Sequence, residues 1–314
     1  MLKFQTELGP EQLTAVDMII SWYRSHPTKP FHLAGLAGTG KTTILKYIDD
    51  CVIFPRTAYA AYTGKAASVL RSKDVNATTI HGLMYRSQKT GEITNPRTGK
   101  IEDIFEHTKR HTLDYDCIII DEASMVTADI KTDLESYGVP VLYVGDHGQL
   151  PPVNSDPAVD LDNLADYKLE TIHRQALDSP IISAAMQARQ GMTIPYQITK
   201  HLKVIKKEEF HDRHVTAMLP DDGVMLCWKN STRSEANQYI RKLINGHDGV
   251  ITNDDRIICL RNIHRKGLFN GLTGICTYAD EITIGIQPDG SSTIIEYDAW
   301  YAQIYLQFFR FEGW

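Results

Sequence analysis

Gly35-Leu36-Ala37-Gly38-Thr39-Gly40-Lys41-Thr42 has the pattern G-x-x-x-x-G-K-T, a loop that wraps nucleoside triphosphate phosphates. Phe31-His32-Leu33-Ala34 before it can supply an incoming strand, and Thr43-Ile44-Leu45-Lys46-Tyr47-Ile48 after it has helical spacing. Strand, glycine loop and helix form the context the motif needs. Glycines let the backbone turn tightly and aim its N–H groups at phosphate oxygens. A helix starting near Lys41 points its partial positive end at the same oxygens. Lys41 supplies a full charge for the β and γ phosphates, and Thr42 a hydroxyl for Mg²⁺. A glycine-rich turn with a chance lysine is the bland alternative, and agreement of every fixed position and both flanks argues against it. ATP and Mg²⁺ are therefore the expected cofactors.

Short apolar runs alternate with amphipathic stretches on either side of this loop. Candidate buried strands are Phe31–Ala34, Ile53–Ala61, Cys117–Ile120 and Val139–Val144. Helical spacing covers residues near 10–25, 41–50, 64–71, 126–137 and 180–190. Strands separated by helices predict an α/β fold with a parallel sheet, which places functional loops at the carboxyl ends of the strands. Residues 86–111 break the rhythm; the turn-rich Asn95–Gly99 cluster predicts an inserted β-hairpin. A second α/β unit starts near 222, with a strand candidate at Met225–Trp228 and a helix candidate at Arg233–Ile244. Strand-rich sequence resumes at Asp255–Leu260.

Cys117-Ile118-Ile119-Ile120-Asp121-Glu122 is an apolar strand ending in two acids. Asp121 can hold Mg²⁺, directly or through water, and Glu122 can polarise an attacking water as general base. Solvated charges at a strand end are the alternative; the phosphate loop favours the functional reading and hydrolysis by water. Val141–Val144 ends in Gly145-Asp146-His147-Gly148-Gln149-Leu150-Pro151-Pro152. An amide at Gln149 can hydrogen-bond both the γ-phosphate and the attacking water. From these residues alone, a polar turn closed by prolines is the simpler reading.

The 314 residues suffice for two domains. Hydrophobic content of 42% and charged content of 23% are ordinary for a globular chain, and no apolar run approaches the length of a membrane span. The N-terminus lacks the apolar core of a signal peptide, and five scattered cysteines without a C-x-x-C suit a reducing cytoplasm. A net charge of −6 counts mildly against a nucleic-acid partner. The cationic stretch between Lys229 and Lys266, taken alone, reads more readily as a solvated face than as a binding surface.

The order of the segments resembles superfamily 1 helicases, particularly the RecD/Dda-like 5′→3′ branch, superfamily 1B. Gly35–Thr43 looks like helicase motif I, Tyr62–Ala67 like motif Ia, Thr78–Leu83 like motif Ib and Ile120–Met125 like motif II. Val144–Val153 is close to motif III, Leu169–Gln175 resembles motif IV, and Leu8–Gln12 resembles the adenine-reading Q motif. The resemblance implies RecA-like architecture, with a first motor domain, 1A, at 1–85 and 112–190 and a wedge hairpin, 1B, at 86–111. It implies a partial RecA-like domain 2A at 191–275, with Asn237 and Arg241 in its N-x-x-x-R helix, and the start of an SH3-like domain 2B at 276–314. Gln12 would read the adenine, and Gly38, Thr39, Gly40, Lys41, Thr42 and Thr43 would hold the phosphates. Arg174 would reach the γ-phosphate as an arginine finger. Thr63, Lys65, Thr79 and His81 would touch single-stranded DNA.

The implied activity is an ATP-dependent 5′→3′ helicase on single-stranded and tailed duplex DNA, in a bacterial or phage-infected cytoplasm, alongside a single-strand-binding or replisome protein and apart from any membrane. The family's motifs V and VI do not appear in the 314 residues. A second expectation is thus a truncated or split subunit that binds ATP and DNA and needs a partner chain for activity. A P-loop protein of another class, such as a small-molecule kinase, fits the motif Ia- and III-like segments poorly.

Overall fold

The computed structural model describes residues 8–94, 101–149, 158–171, 179–218, 229–246, 251–259, 272–281, 283–289, 291–298 and 306–308, with Met225 and Cys227. The chain divides into two compact units, Met1–Met192 and Thr193–Trp314.

The first unit is built on six parallel strands: β1 (Phe31–Gly35), β2 (Thr57–Ala61), β3 (Ala77–Thr79), β6 (Cys117–Asp121), β7 (Val141–Gly145) and β8 (Tyr167–Leu169). Their spatial order is β3-β2-β6-β7-β1-β8. The intervening helices are α1 (Pro10–Arg24), α2 (Lys41–Asp50), α3 (Gly64–Arg71), α4 (Ile80–Met84), α5 (Ala128–Glu135) and α6 (Pro180–Arg189). Period-two alternation sends successive side chains to opposite faces. Ile119, Leu142 and Val144 join Ile19, Ile44 and Leu70 on one face; Ile118, Ile120 and Tyr143 join Ile80, Met84 and Leu134 on the other. Both faces are buried, so the strands read as continuous apolar runs. Each buried isoleucine or leucine contributes about 1.5–3 kcal/mol. This is the expected α/β, RecA-like sheet with helices on both faces.

The strand expected at Ile53–Ala61 begins only at Thr57. Val52 turns the chain at φ +48°, and Pro55 has no N–H for a sheet ladder. Residues 85–109 form the hairpin expected from the turn cluster: β4 (Tyr85–Thr94) pairs antiparallel with β5 (Ile101–Lys109). The Asn95–Gly99 turn itself lies outside the described residues.

The second unit has α7 (Asp212–Met218), α8 (Asn230–Asn245) and a small ladder of β9 (Gln197–Ile198) with β10 (Lys203–Val204). Its larger sheet joins β11 (Arg256–Cys259), β12 (Thr273–Ala279), β13 (Thr283–Pro288), β14 (Ile295–Asp298) and β15 (Leu306–Phe308). Every described pairing in it is antiparallel, in the order β14-β13-β12-β11-β15. The boundary expected at 275/276 falls inside β12. Connection length accounts for the antiparallel pairing: only three residues separate β12 from β13 and six separate β13 from β14, too few for the crossover that parallel strands require. The helix expected at Arg233–Ile244 is α8, and Arg241 in it makes a buried two-point ion pair with Asp255. The Met225–Trp228 strand candidate falls largely outside the described residues.

Candidate functional site

In the first unit β1, β6 and β7 are parallel neighbours, so Gly35, Asp121 and Gly145 end together at one sheet edge. That common edge brings the glycine loop, the Asp-Glu pair and the Gln149 turn into one site. Gly38 and Gly40 take φ of +84° and +82°, left-handed values that L side chains avoid. Gly40 caps α2, Thr42 and Thr43 lie in its first turn, and the Thr43 N–H donates to the Gly40 carbonyl at 2.9 Å. The Lys41 ammonium donates to the carbonyls of Gly35 at 2.7 Å and Leu36 at 3.1 Å. Burial pulls its pKa below the ordinary lysine range, while the carboxylates of Asp146, Glu122 and Asp121 pull it back up. A half-desolvated ammonium among carboxylates is suited to meeting a polyphosphate.

Gln12 and Thr39 are almost fully buried. The Gln12 amide accepts from Gly9 N at 2.9 Å and donates to the Thr39 carbonyl at 3.1 Å. It therefore ties the start of α1 to the phosphate loop. Glu11 beside it accepts from the backbone N–H groups of Glu170 and Thr171, at 2.8 and 2.9 Å.

The Asp121 carboxyl is pushed up to about 6, mostly by burial and then by the charge of Glu122. It accepts the Glu122 N–H at 3.0 Å. Glu122 sits at φ +55°, an unusual conformation for a non-glycine residue. Gln149 Oε1 accepts a hydrogen bond from Ser124 Oγ at 3.0 Å, which leaves the amide NH₂ of Gln149 to donate elsewhere. Arg174 lies outside the described residues, as do Leu150 to Val153 of the motif III-like segment.

Among the described residues no group of three or more His, Cys, Asp or Glu could hold a metal ion. Thr42 and Asp121 offer two hard oxygen ligands. That donor set suits Mg²⁺, which completes its shell with phosphate oxygens and water.

Thr63, Lys65, Thr79 and His81 gather at the ends of β2 and β3, whose last residues, Ala61 and Thr79, are partners in the parallel ladder. Thr63 and Thr79 are the N-caps of α3 and α4, accepting from Ala66 N and Gly82 N. A hydroxyl that accepts a cap bond keeps its own O–H to donate to a phosphate. Burial lowers the pKa of Lys65, and the His81 ring stacks on Tyr85 at 5.8 Å, where the hairpin begins.

Two residues of this site carry no role in the sequence motifs. Asp146, 3% exposed, pairs with Arg189 at 3.2 Å, and both lie within electrostatic reach of Lys41. Asp146 has a weak signal, as a second acid at a strand end. Arg189, 43 positions away on α6, carries no local signal.

The site and its sheet define a P-loop nucleotide-binding protein of RecA-like architecture. The family described as an AAA domain matches residues 7–209. The chain belongs to that family. It is 28% identical over 283 residues to the ATP-dependent RecD2 DNA helicase of Deinococcus radiodurans, covering 82% of this chain and 38% of that protein. It is 26% identical over 249 residues to the ATP-dependent DNA helicase PIF1 of Trypanosoma brucei brucei, covering 73% of this chain and 24% of that protein. The chain thus spans well under half the length of these two relatives. Among solved structures, a Pif1 helicase from Bacteroides in complex with ADP-AlF3 and ssDNA shares the fold, at TM-score 0.55 and 21% identity over 94% of this chain and 75% of that one. A study of DNA unwinding at forked duplex by two coordinating Pif1 helicases gives TM-score 0.57, at 20% identity over 94% and 76% of the two chains.

Proposed function

We propose that the chain is an ATP-driven DNA helicase or translocase that moves 5′→3′ on single-stranded DNA. The observation that carries this is the convergence of Lys41, Asp121, Glu122 and Gln149 at one sheet edge, with Thr63 and Thr79 capping helices along the same edge. Gly38 to Thr43 wrap the triphosphate, and Gln12 holds the loop from the adenine side. Thr42 and Asp121 would hold Mg²⁺, which neutralises charge on the β and γ phosphates. Glu122 orients the attacking water and takes its proton. Gln149 donates to the γ-phosphate and reports whether it is present, and Arg174 adds a bidentate charge as it departs. Lys65 and the N–H groups at the α3 and α4 starts grip DNA phosphates, so binding is sequence-tolerant and weakens with salt. The β4–β5 hairpin is the wedge that meets the duplex.

The test is ATP hydrolysis with and without single-stranded DNA, alongside unwinding of 5′- and 3′-tailed duplexes. Hydrolysis is stimulated by DNA, and only the 5′-tailed duplex is opened. Lys41→Ala abolishes hydrolysis, because the cavity loses the cation that meets the β and γ phosphates. Hydrolysis indifferent to DNA would sink the motor reading, and a Lys41→Ala protein of wild-type activity would sink the site.

A further inference from the structure

The Asp146 carboxylate is nearly inaccessible to solvent, and a buried carboxylate needs a partner. Its Oδ1 accepts from Gly148 N at 2.8 Å and from Arg189 Nη2 at 3.2 Å. The guanidinium lies directly against Gly148, where a Cβ would fall 2.1 Å from Arg189 Cζ. A side chain at Gly148 would push the guanidinium off its present place beside Asp146. The next residue is Gln149, whose N–H donates to the Asp146 carbonyl at 3.2 Å and whose side chain is held by Ser124. Arg189 thus closes the turn that aims Gln149, from outside that turn. It is also the last residue of α6, three positions before the chain passes to the second unit.

We propose that Arg189 is a positioning residue for ATP hydrolysis: its pair with Asp146 holds the Gln149 turn in register at the phosphate site and ties α6 to it. This rests on the ATPase reading above. A planar guanidinium laid flat on Gly148 cannot be replaced in full by a flexible ammonium. Loss of the pair leaves the phosphate loop intact and loosens only the turn. The cost therefore falls on turnover rather than on nucleotide capture.

The experiment measures kcat and KM for ATP with saturating single-stranded DNA, plus binding of a fluorescent ADP, for wild type, Arg189→Ala, Arg189→Lys, Asp146→Asn and the Arg189→Ala/Asp146→Asn double variant. Arg189→Ala lowers kcat about tenfold or more, with KM and ADP binding within about threefold of wild type. Arg189→Lys recovers part of the loss. The double variant falls no further than about twofold below the worse single variant, since both remove one interaction. ADP binding also shows that each variant is folded; if Arg189→Ala does not fold, Arg189→Lys alone carries the test through an intermediate kcat at unchanged KM. Unchanged kcat in a folded Arg189 variant, additive losses, or a KM raised more than about tenfold at constant kcat each overturn the proposal. A wild-type chain without ATPase activity would overturn the functional reading instead, which keeps the two failures apart.

Discussion

Glu122 occupies a left-handed conformation that costs a non-glycine residue about 1–3 kcal/mol. Its backbone N–H serves the Asp121 carboxylate from there, so one strained residue sets both acids of the pair. Glu122→Gln keeps length and shape but cannot accept a proton. Its kcat for ATP falls about 10²–10⁴-fold while nucleotide binding persists. Glu122→Gly loses activity equally and melts no lower than wild type, because glycine relieves the strained φ. A Glu122→Gln chain within about threefold of wild-type kcat would assign the base elsewhere. Much is legible at this scale from the residues alone, since the phosphate loop and the acid pair are each local in the chain. The links between motifs are not. Ser124 with Gln149 and Arg189 with Asp146 are side-chain partners chosen by the packing of separate elements, and no spacing rule announces them.

The hairpin shows how an element is aimed. Tyr85 and Lys109 are cross-strand partners at its base. Both reach one carboxylate on α5: Tyr85 OH donates to Asp133 Oδ2 at 2.8 Å, and Lys109 Nζ to Oδ1 at 2.5 Å. Such a half-exposed cluster adds little to stability, because solvent screens the charges. Its larger effect is directional, since it pins both strands of a two-stranded ribbon that is marginal alone. Asp133→Ala leaves DNA-stimulated ATPase within about twofold and the melting temperature nearly unchanged, yet slows unwinding of a tailed duplex several-fold. Equal unwinding by Asp133→Ala and wild type would show that the base of the hairpin need not be held. Long amphipathic helices such as α1, α2 and α3 are readable because their period repeats several times. The three-residue strands β3 and β8 escape a reading of periodicity because they carry no period, and their neighbours recruit them into the sheet.

The whole chain divides where its cores divide. The two apolar clusters flanking the parallel sheet lie within Met1–Met192, and those around Ile257 and Ile240 lie within Thr193–Trp314. The first architecture is legible because buried strands alternate with helices at regular intervals. The second is less legible, because strand content alone does not say which strands share a sheet. Independent cores imply independent folding. Every nucleotide-site residue from Gln12 to Arg189 falls in the first unit. A fragment of residues 1–192 therefore melts cooperatively and binds Mg-ATP, although a lone first unit has nothing to move along DNA. Ligand at about 100 times its Kd adds about 2.7 kcal/mol to the native state. For a domain of this size that raises the melting temperature by about 5–10 °C. Melting the fragment and the full chain with and without Mg-ATP checks this. A fragment that shows no cooperative transition, or one that nucleotide leaves unmoved, would mean that the phosphate site needs the second unit to form.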